Sequence, residues 1–342
     1  MDEEKIFYHA VALGEGGSYT AILHAKKRFQ TWKRAYEANG HYHIPDPERE
    51  YQKLDERHIR LFLRENPEFP PLLREIPHPP FGIYAKGSLP ANDQAAIAVV
   101  GTRRATPDGK NIARRFAAGL AHAGFLIVSG LAFGVDAAAH EGCLDAKGTT
   151  IAVLACGLAN VYPKNNASLA EKILAGGGSI ISEYPPDMPA YPSRFLERNR
   201  IVSGLSKGIL VVEAPERSGS LATARFALEQ NRDVFIIPGP ISHPNFRGSH
   251  ALIRQGATLV TRPEDILEEY GIAPQDAAAK IMDAASPEEK LILDVLQKTG
   301  VPADIDKIID ATRLEPRIAN QTVSILFIRG VLREQNEGYM IN

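Results

Sequence analysis

The sequence predicts an α/β protein: a Rossmann-like, doubly wound, mainly parallel sheet, preceded by a small helical domain and followed by a winged-helix-like domain. Three observations predict it. Between Ala95 and about Arg262, short apolar runs alternate with helix-period segments. Each run closes on a turn rich in glycine, proline or hydroxyl residues. A proline-rich run, FPPLLREIPHPPFGIYAKG, separates this region from a polar, helix-patterned beginning. Apolar runs bounded by turns and alternating with helices are what a parallel sheet covered on both faces requires.

Along the chain, residues 1–80 hold amphipathic stretches such as AILHAKKRFQTWKRAYEA and YQKLDERHIRLFLREN, which predict a helical N-terminal domain. Proline fixes φ and removes a donor, so the proline-rich run suits an extended connector. Residues 81–270 then supply the strands AAIAVVGTR, FLIVSGLA, TTIAVLACG, SIISEYP, GILVVEA and DVFIIPG. In doubly wound sheets ligands sit outside the carboxyl ends of the strands. The turns VGTR, VSGLA, LACGL, SEYP, VEAPERSGS and IPGP are therefore expected to face one crevice. The stretch APQDAAAKIMDAASPEEK has the composition of a linker that runs into a helix. Residues 286–342 read as three short helices and two short strands around a turn, the winged-helix arrangement.

A chain of 342 residues exceeds what one core usually supports, so two or three domains are expected. Apolar residues make up 44% and charged residues 23%, an ordinary globular balance. The net charge of -2 gives no global attraction for polyanions, so nucleic-acid affinity would have to come from a local cluster of cations and N–H groups. The acidic start MDEEKIF lacks the form of a secretory leader, and no apolar run is long enough to span a membrane, so a cytoplasmic protein is expected. Cys143 and Cys156 read as buried thiols rather than a disulfide framework. No metal-ligand spacing and no G-x-G-x-x-G dinucleotide fingerprint follows a strand, so neither metal nor cofactor is expected.

Several strand ends carry chemistry. Gly101, Thr102 and Arg103 stand at a strand-to-helix turn, where a close backbone, a hydroxyl, a helix N-terminus and a planar cation make a phosphate cradle. Arg103 alternatively pairs with a surface carboxylate. Ser129 and Gly130 open the second turn. Asp136 and His140 follow at helical spacing, either as an acid–base pair or as a cap with a packed imidazole. Lys164 projects from a loop stiffened by Tyr162 and Pro163, facing a backbone phosphate or simply solvent. Arg194, Phe195, Arg198, Asn199 and Arg200 interleave cations with an aromatic, a pattern suited to single-stranded nucleic acid, although Phe195 also fits a core. Gly219 and Ser220 enter a helix after Ser218, as an anion nest or as ordinary capping.

At these residues the sequence resembles the DNA-processing protein A (DprA/Smf) family. VGTR, SGLAFGVDAAAH, VLACGLANVYP, SEYPP, RFLERNRIVSGLS, VVEAPERSGSLATA and IPGP stand in that family's order over about residues 66 to 265. The resemblance implies a protein that binds single-stranded DNA without strong sequence preference, dimerises through its Rossmann-like domain and loads RecA recombinase in natural transformation. It implies no catalytic residue. It makes Arg103 and Lys164 the principal phosphate contacts, with Gly101, Thr102, Ser129 and Gly130 lining the pocket. It also implies a sterile-alpha-motif-like fold for the N-terminal helices. Two positions depart from the family pattern: Phe133, where arginine often follows SGLA, and His250, where asparagine is usual. The rival is a nucleotide- or phosphoribosyl-directed hydrolase on the same sheet, but its Pro-Gly-Gly-x-Gly-Thr loop is replaced by IPGPISHPN.

Overall fold

The computed structural model describes residues 2–38, 42, 44–89, 91, 94–272, 286–299, 301–328, 331–335 and 338–341. One sheet contains β1 (Arg60–Leu63), β2 (Gly82–Gly87), β3 (Ala96–Val100), β4 (Leu126–Ser129), β5 (Thr150–Val153), β6 (Ser179–Ser182), β7 (Gly208–Val211), β8 (Asp233–Ile236) and β9 (Thr258–Leu259). Their spatial order is β1-β2-β6-β5-β4-β3-β7-β8-β9. From β6 to β9 the neighbours pair parallel, while β2 joins β6, and β1 joins β2, antiparallel. The expected doubly wound, mainly parallel sheet is thus present.

The chain steps outward from β3 through β4, β5 and β6, then returns to the other side of β3 for β7, β8 and β9. The helices preceding and flanking the sheet are α1 (Glu3–Gly14), α2 (Tyr19–Phe29), α3 (Trp32–Ala38), α4 (Pro47–Glu56), α5 (Pro71–Arg74), α6 (Pro107–His122), α7 (Val135–Asp145) and α8 (Ala167–Ala175). Later come α9 (Pro192–Gly204), α10 (Gly219–Glu229), α11 (Arg247–Arg254) and α12 (Pro263–Glu269). Strand side chains alternate between the layers. Ala96, Ala98 and Val100 pack with Ile201 and Val202 of α9 and Ala224 of α10. Ile97 and Val99 pack with Phe116 of α6 and Ala139 of α7. Because α6 follows β3 on one face and α10 follows β7 on the other, a crevice opens between the carboxyl ends of these two neighbouring strands.

The N-terminal helices close around Tyr8 and Trp32, and their core continues into Tyr84 of β2, Leu154 directly after β5, and Ile180 of β6. A buried ion pair supports the junction. One terminal nitrogen of Arg200 donates to both Glu183 oxygens, at 2.6 and 2.8 Å, and the guanidinium lies 5.1 Å from the Tyr19 ring. The proline-rich run is not merely extended. It builds α5 and leads into β2, burying Phe69, Leu73, Ile76 and Phe81. Burying a large apolar side chain contributes about 1.5–3 kcal/mol, which draws these residues onto the sheet between the prolines. The sheet therefore begins at β1, inside the stretch read as helical domain and connector.

Residues 273–285, where a linker was expected, lie outside the described residues. Beyond them, helices Pro287–Thr299, Ile305–Thr312 and Pro316–Ile328 enclose Ile292, Leu296, Ile308, Val323 and Leu326. An antiparallel hairpin, Leu332–Gln335 with Gly338–Ile341, follows. Among the described residues no helix is long and apolar enough to cross a membrane.

Two buried histidines make the fold acid-sensitive. Burial, which penalises the imidazolium, holds His140 down to about 3 and His9 down to about 4, from an ordinary 6.5. Their folded values are depressed, so the stability they contribute is complete above pH 6.5. It falls as the pH drops from 6.5 towards 4, by about 1.4 kcal/mol per pH unit for each histidine. The urea midpoint is expected to fall between pH 7 and pH 5, and less steeply in His140→Gln. Identical slopes in the two proteins would contradict this account.

Candidate functional site

A cleft of about 590 Å³ opens at the crevice between β3 and β7. Its walls come from the turn after β3, the turn after β4, the loop holding Tyr162, the first three turns of α9, and the segment from Pro215 into α10. Arg103, Arg104, Arg198 and Arg217 line it together with a single carboxylate, Asp136. The cleft is therefore strongly cationic in a chain whose net charge is slightly negative. The turns after β6 and β8 do not line it. The six expected strand-end turns thus do not all meet there, because the opening is confined to where the connections part.

The floor is a buried network. Arg198 donates to the Gly130 carbonyl at 2.8 Å, to the Val153 carbonyl and to the side chain of Asn199 at 3.3 Å. Glycine at 130 leaves room for this guanidinium: a Cβ there would stand 2.3 Å from it and displace it. Asp136 accepts the N–H groups of Gly130 and Ala132 at 3.1 and 3.4 Å. Burial pushes its carboxyl above the usual carboxylate range, opposed by Arg198, the two N–H groups and Arg103. Burial likewise pulls Arg198 below the ordinary arginine value, opposed by Asp136. At the mouth, the exposed Arg103 guanidinium lies 4.6 Å from the ring centre of Phe195, which meets Tyr162 edge-on at 5.6 Å.

Among the helix N-termini near the cleft, those of α6 and α10 are used differently. The start of α6 is filled by the protein's own anion. Glu213, buried at the end of β7, accepts from the Thr106 N–H at 3.2 Å, from the Thr106 hydroxyl and from the Asn245 amide at 2.7 Å. A Cβ at Gly109 would lie 2.2 Å from this carboxylate. The same Asn245 amide reaches the Arg104 carbonyl at 3.2 Å, and the Thr102 N–H donates to the Glu213 carbonyl at 2.8 Å. The start of α10, by contrast, opens into the cleft: Ser218 caps the Ser220 N–H at 3.1 Å, and Gly219 is exposed. An anion is favoured at such a terminus.

The sequence-derived site residues divide accordingly. Gly101, Thr102, Arg103, Gly130, Phe195, Arg198, Asn199, Gly219 and Ser220 line the cleft. Lys164 lies outside the lining, exposed two residues beyond Tyr162. Three others are committed elsewhere. Ser129 is fully buried and donates to the Val99 carbonyl at 2.6 Å. Arg194 donates to the Pro189 and Gly16 carbonyls at 2.7 and 2.8 Å. Arg200 is held in its buried pair with Glu183. The cradle drawn at Thr102 also differs, since its N–H and the α6 terminus have internal partners. Asp136 and His140 form no acid–base pair facing the cleft. His140 is buried with Nδ1 2.7 Å from the Thr150 hydroxyl, which itself donates to the Ile127 carbonyl. Arg104 and Arg217 were not singled out from the sequence; adjacency to Arg103 and to the Ser-Gly-Ser turn was the available signal.

The family model for DNA recombination-mediator protein A matches residues 60–271. Protein Smf of Escherichia coli strain K12 is 42% identical over 261 residues, covering 74% of this chain and 70% of that protein. The solved structure of DNA processing protein A from Streptococcus pneumoniae is similar with a TM-score of 0.65 at 33% identity, covering 79% of this chain and 98% of that one. That of DNA processing protein A from Helicobacter pylori, reported for its single-stranded DNA binding mode, has a TM-score of 0.56 at 32% identity, covering 62% and 95%.

Glu213 ties β7, the start of α6 and the arginine-bearing turn together, so it is expected to matter for stability. Glu213→Gln removes charge-assisted acceptors from a buried site and should cost about 1.5–3 kcal/mol in urea unfolding. A loss within error of zero would remove the clamp from this account.

Proposed function

The chain belongs to the DNA recombination-mediator protein A family, and from that premise we propose that it binds single-stranded DNA without strong sequence preference and loads RecA recombinase onto it. The observation that carries the DNA half of this reading is Arg103: an exposed guanidinium at the mouth of a cationic cleft, stacked on Phe195. Phosphates supply most of the affinity in such a contact and carry no sequence information. Aromatic faces accept any unpaired base. Arg104 and Arg217 extend the cationic wall, and exposed Lys164 beside Tyr162 continues it outward. The fixed charge of Arg198 sets the potential of the floor without leaving its carbonyl partners.

The RecA part of the proposal comes from family membership and the recombination role its name expresses. We extend the same reading to a homodimer formed through the Rossmann-like domain. The protein acts as a mediator rather than an enzyme in this reading, with no cofactor.

In anisotropy titrations of a labelled single strand at two salt concentrations, Arg103→Ala and Lys164→Ala are each expected to weaken binding several-fold. Each should reduce the salt slope by about 1. A duplex of the same sequence should bind less tightly than the single strand. Unchanged affinity and slope in both variants would remove these two residues from the contact surface.

A further inference from the structure

Helix α9 has two differently occupied halves. Phe195, Asn199 and Val202 line the cleft. Arg194, Glu197 and Arg200, spaced every three residues, fall on the opposite half of a helix with 3.6 residues per turn, and none of them lines the cleft. This second half is held by the N-terminal domain and by the segment that follows β6. Arg194 donates to the Gly16 carbonyl, in the loop between α1 and α2, at 2.8 Å and to the Pro189 carbonyl at 2.7 Å. Its guanidinium lies 4.6 and 4.9 Å from the ring centres of Tyr184 and Tyr191. Glu197 accepts from the Tyr184 hydroxyl at 2.8 Å. Arg200 completes the face by meeting both Glu183 and the ring of Tyr19, the first residue of α2.

The segment after β6 carries the same contact to a second wall of the cleft. Gly17 has a φ of 71°, and this left-handed turn seats the loop between α1 and α2 against Tyr184 and Pro185: a Cβ at Gly17 would stand 3.1 Å from each. The Gly157 N–H donates to the Met188 carbonyl at 2.8 Å and the Ala159 N–H to the Pro186 carbonyl at 2.9 Å. The chain then runs on to Tyr162, which lines the cleft. An exposed ion pair, Arg57 with Asp187 at 2.7 Å, joins the end of α4 to the same segment and adds little by itself. Both α9 and the Tyr162 loop are thus rooted on the N-terminal helices, although those helices contribute no residue to the lining.

We infer that Arg194 and Tyr19 are positioning residues through which the N-terminal domain sets the cleft walls, so that occupancy of the cleft and the stability of the N-terminal helices are linked. This rests on the single-stranded DNA reading of the cleft and adds a regulatory input to it. A change in the N-terminal helices alters affinity at the cleft, and by reciprocity a ligand in the cleft alters those helices by the same factor. The forked guanidinium is what the contact needs. Two of its nitrogens reach two carbonyls while its plane lies against aromatic rings, which the point charge of a lysine does not reproduce.

The test uses the full-length chain, an oligo-dT probe and the variants Arg194→Ala, Arg194→Lys, Tyr19→Ala and Tyr19→Phe. The first three should each weaken oligo-dT binding about fivefold, the lower end of the usual coupling between sites. Their salt slopes should match wild type, because no phosphate contact is lost. Tyr19→Phe keeps the ring and should bind as wild type. In hydrogen exchange, saturating oligo-dT should slow the amides of α1 and α2 in wild type and leave them unchanged in Arg194→Lys. A direct phosphate contact would give another pattern: a salt slope reduced by about 1 in Arg194→Ala, and wild-type binding in Arg194→Lys. That pattern, or exchange in α1 and α2 of wild type that ignores oligo-dT, would overturn the linkage and leave the DNA reading standing. So would wild-type affinity in Tyr19→Ala, whether or not its N-terminal helices stay folded. Failure of wild type to bind oligo-dT would overturn both.

Discussion

The cleft stands on one buried guanidinium. Arg198 reaches from α9 to the carbonyls of Gly130 and Val153, at the ends of β4 and β5, and so fixes the wall helix to the sheet. Taking a charge out of water is expensive unless its donors are satisfied and an opposite charge is near. The two carbonyls, the Asn199 oxygen and Asp136 supply those conditions. With the helix pinned in this way, Phe195 and Leu196 are held at the cleft.

The helix N-termini of α6 and α10 show how one fold can both close and offer the same electrostatic feature. At α6 the carboxylate of Glu213 occupies the site, and Gly109 is the residue that makes room for it. At α10 only a serine hydroxyl caps the turn, and the neighbouring glycine leaves the approach open. The internal anion turns what reads as a second phosphate cradle into a joint that orients Arg103 and Arg104. The open helix start is therefore the one on the α10 side, which lines the cleft together with the arginines.

Much of this was legible in the sequence because it depends on local pattern. The parallel strands follow from apolar runs closed by turns, and the crevice follows from strand ends in a doubly wound sheet. Arg103 follows from its place directly after β3. What was hidden depends on direction and on distant partners. RLFL, just before the proline-rich run, and GIYAKG, at its end, join the sheet antiparallel because burial decides their fate. Arg198 and Arg200 look equivalent in RNR, yet they stand about 200° apart around a helix of 3.6 residues per turn. One consequently supports the cleft floor while the other pairs with Glu183 beneath Tyr19. Ser129 and Glu213 likewise sit at strand ends whose side chains turn inward, which no spacing rule reveals.

The span of the Arg198 contacts has a thermodynamic consequence. Its two carbonyl partners lie 68 and 45 residues earlier in the chain, so the cleft cannot assemble before several strands and α9 have come together. Occupancy is then linked to the folding of the sheet as a whole. A ligand present at a hundred times its dissociation constant would add about 2.7 kcal/mol to the unfolding free energy of the entire cooperative unit, so a ligand held in the cleft would stabilise the whole sheet and not the cleft alone.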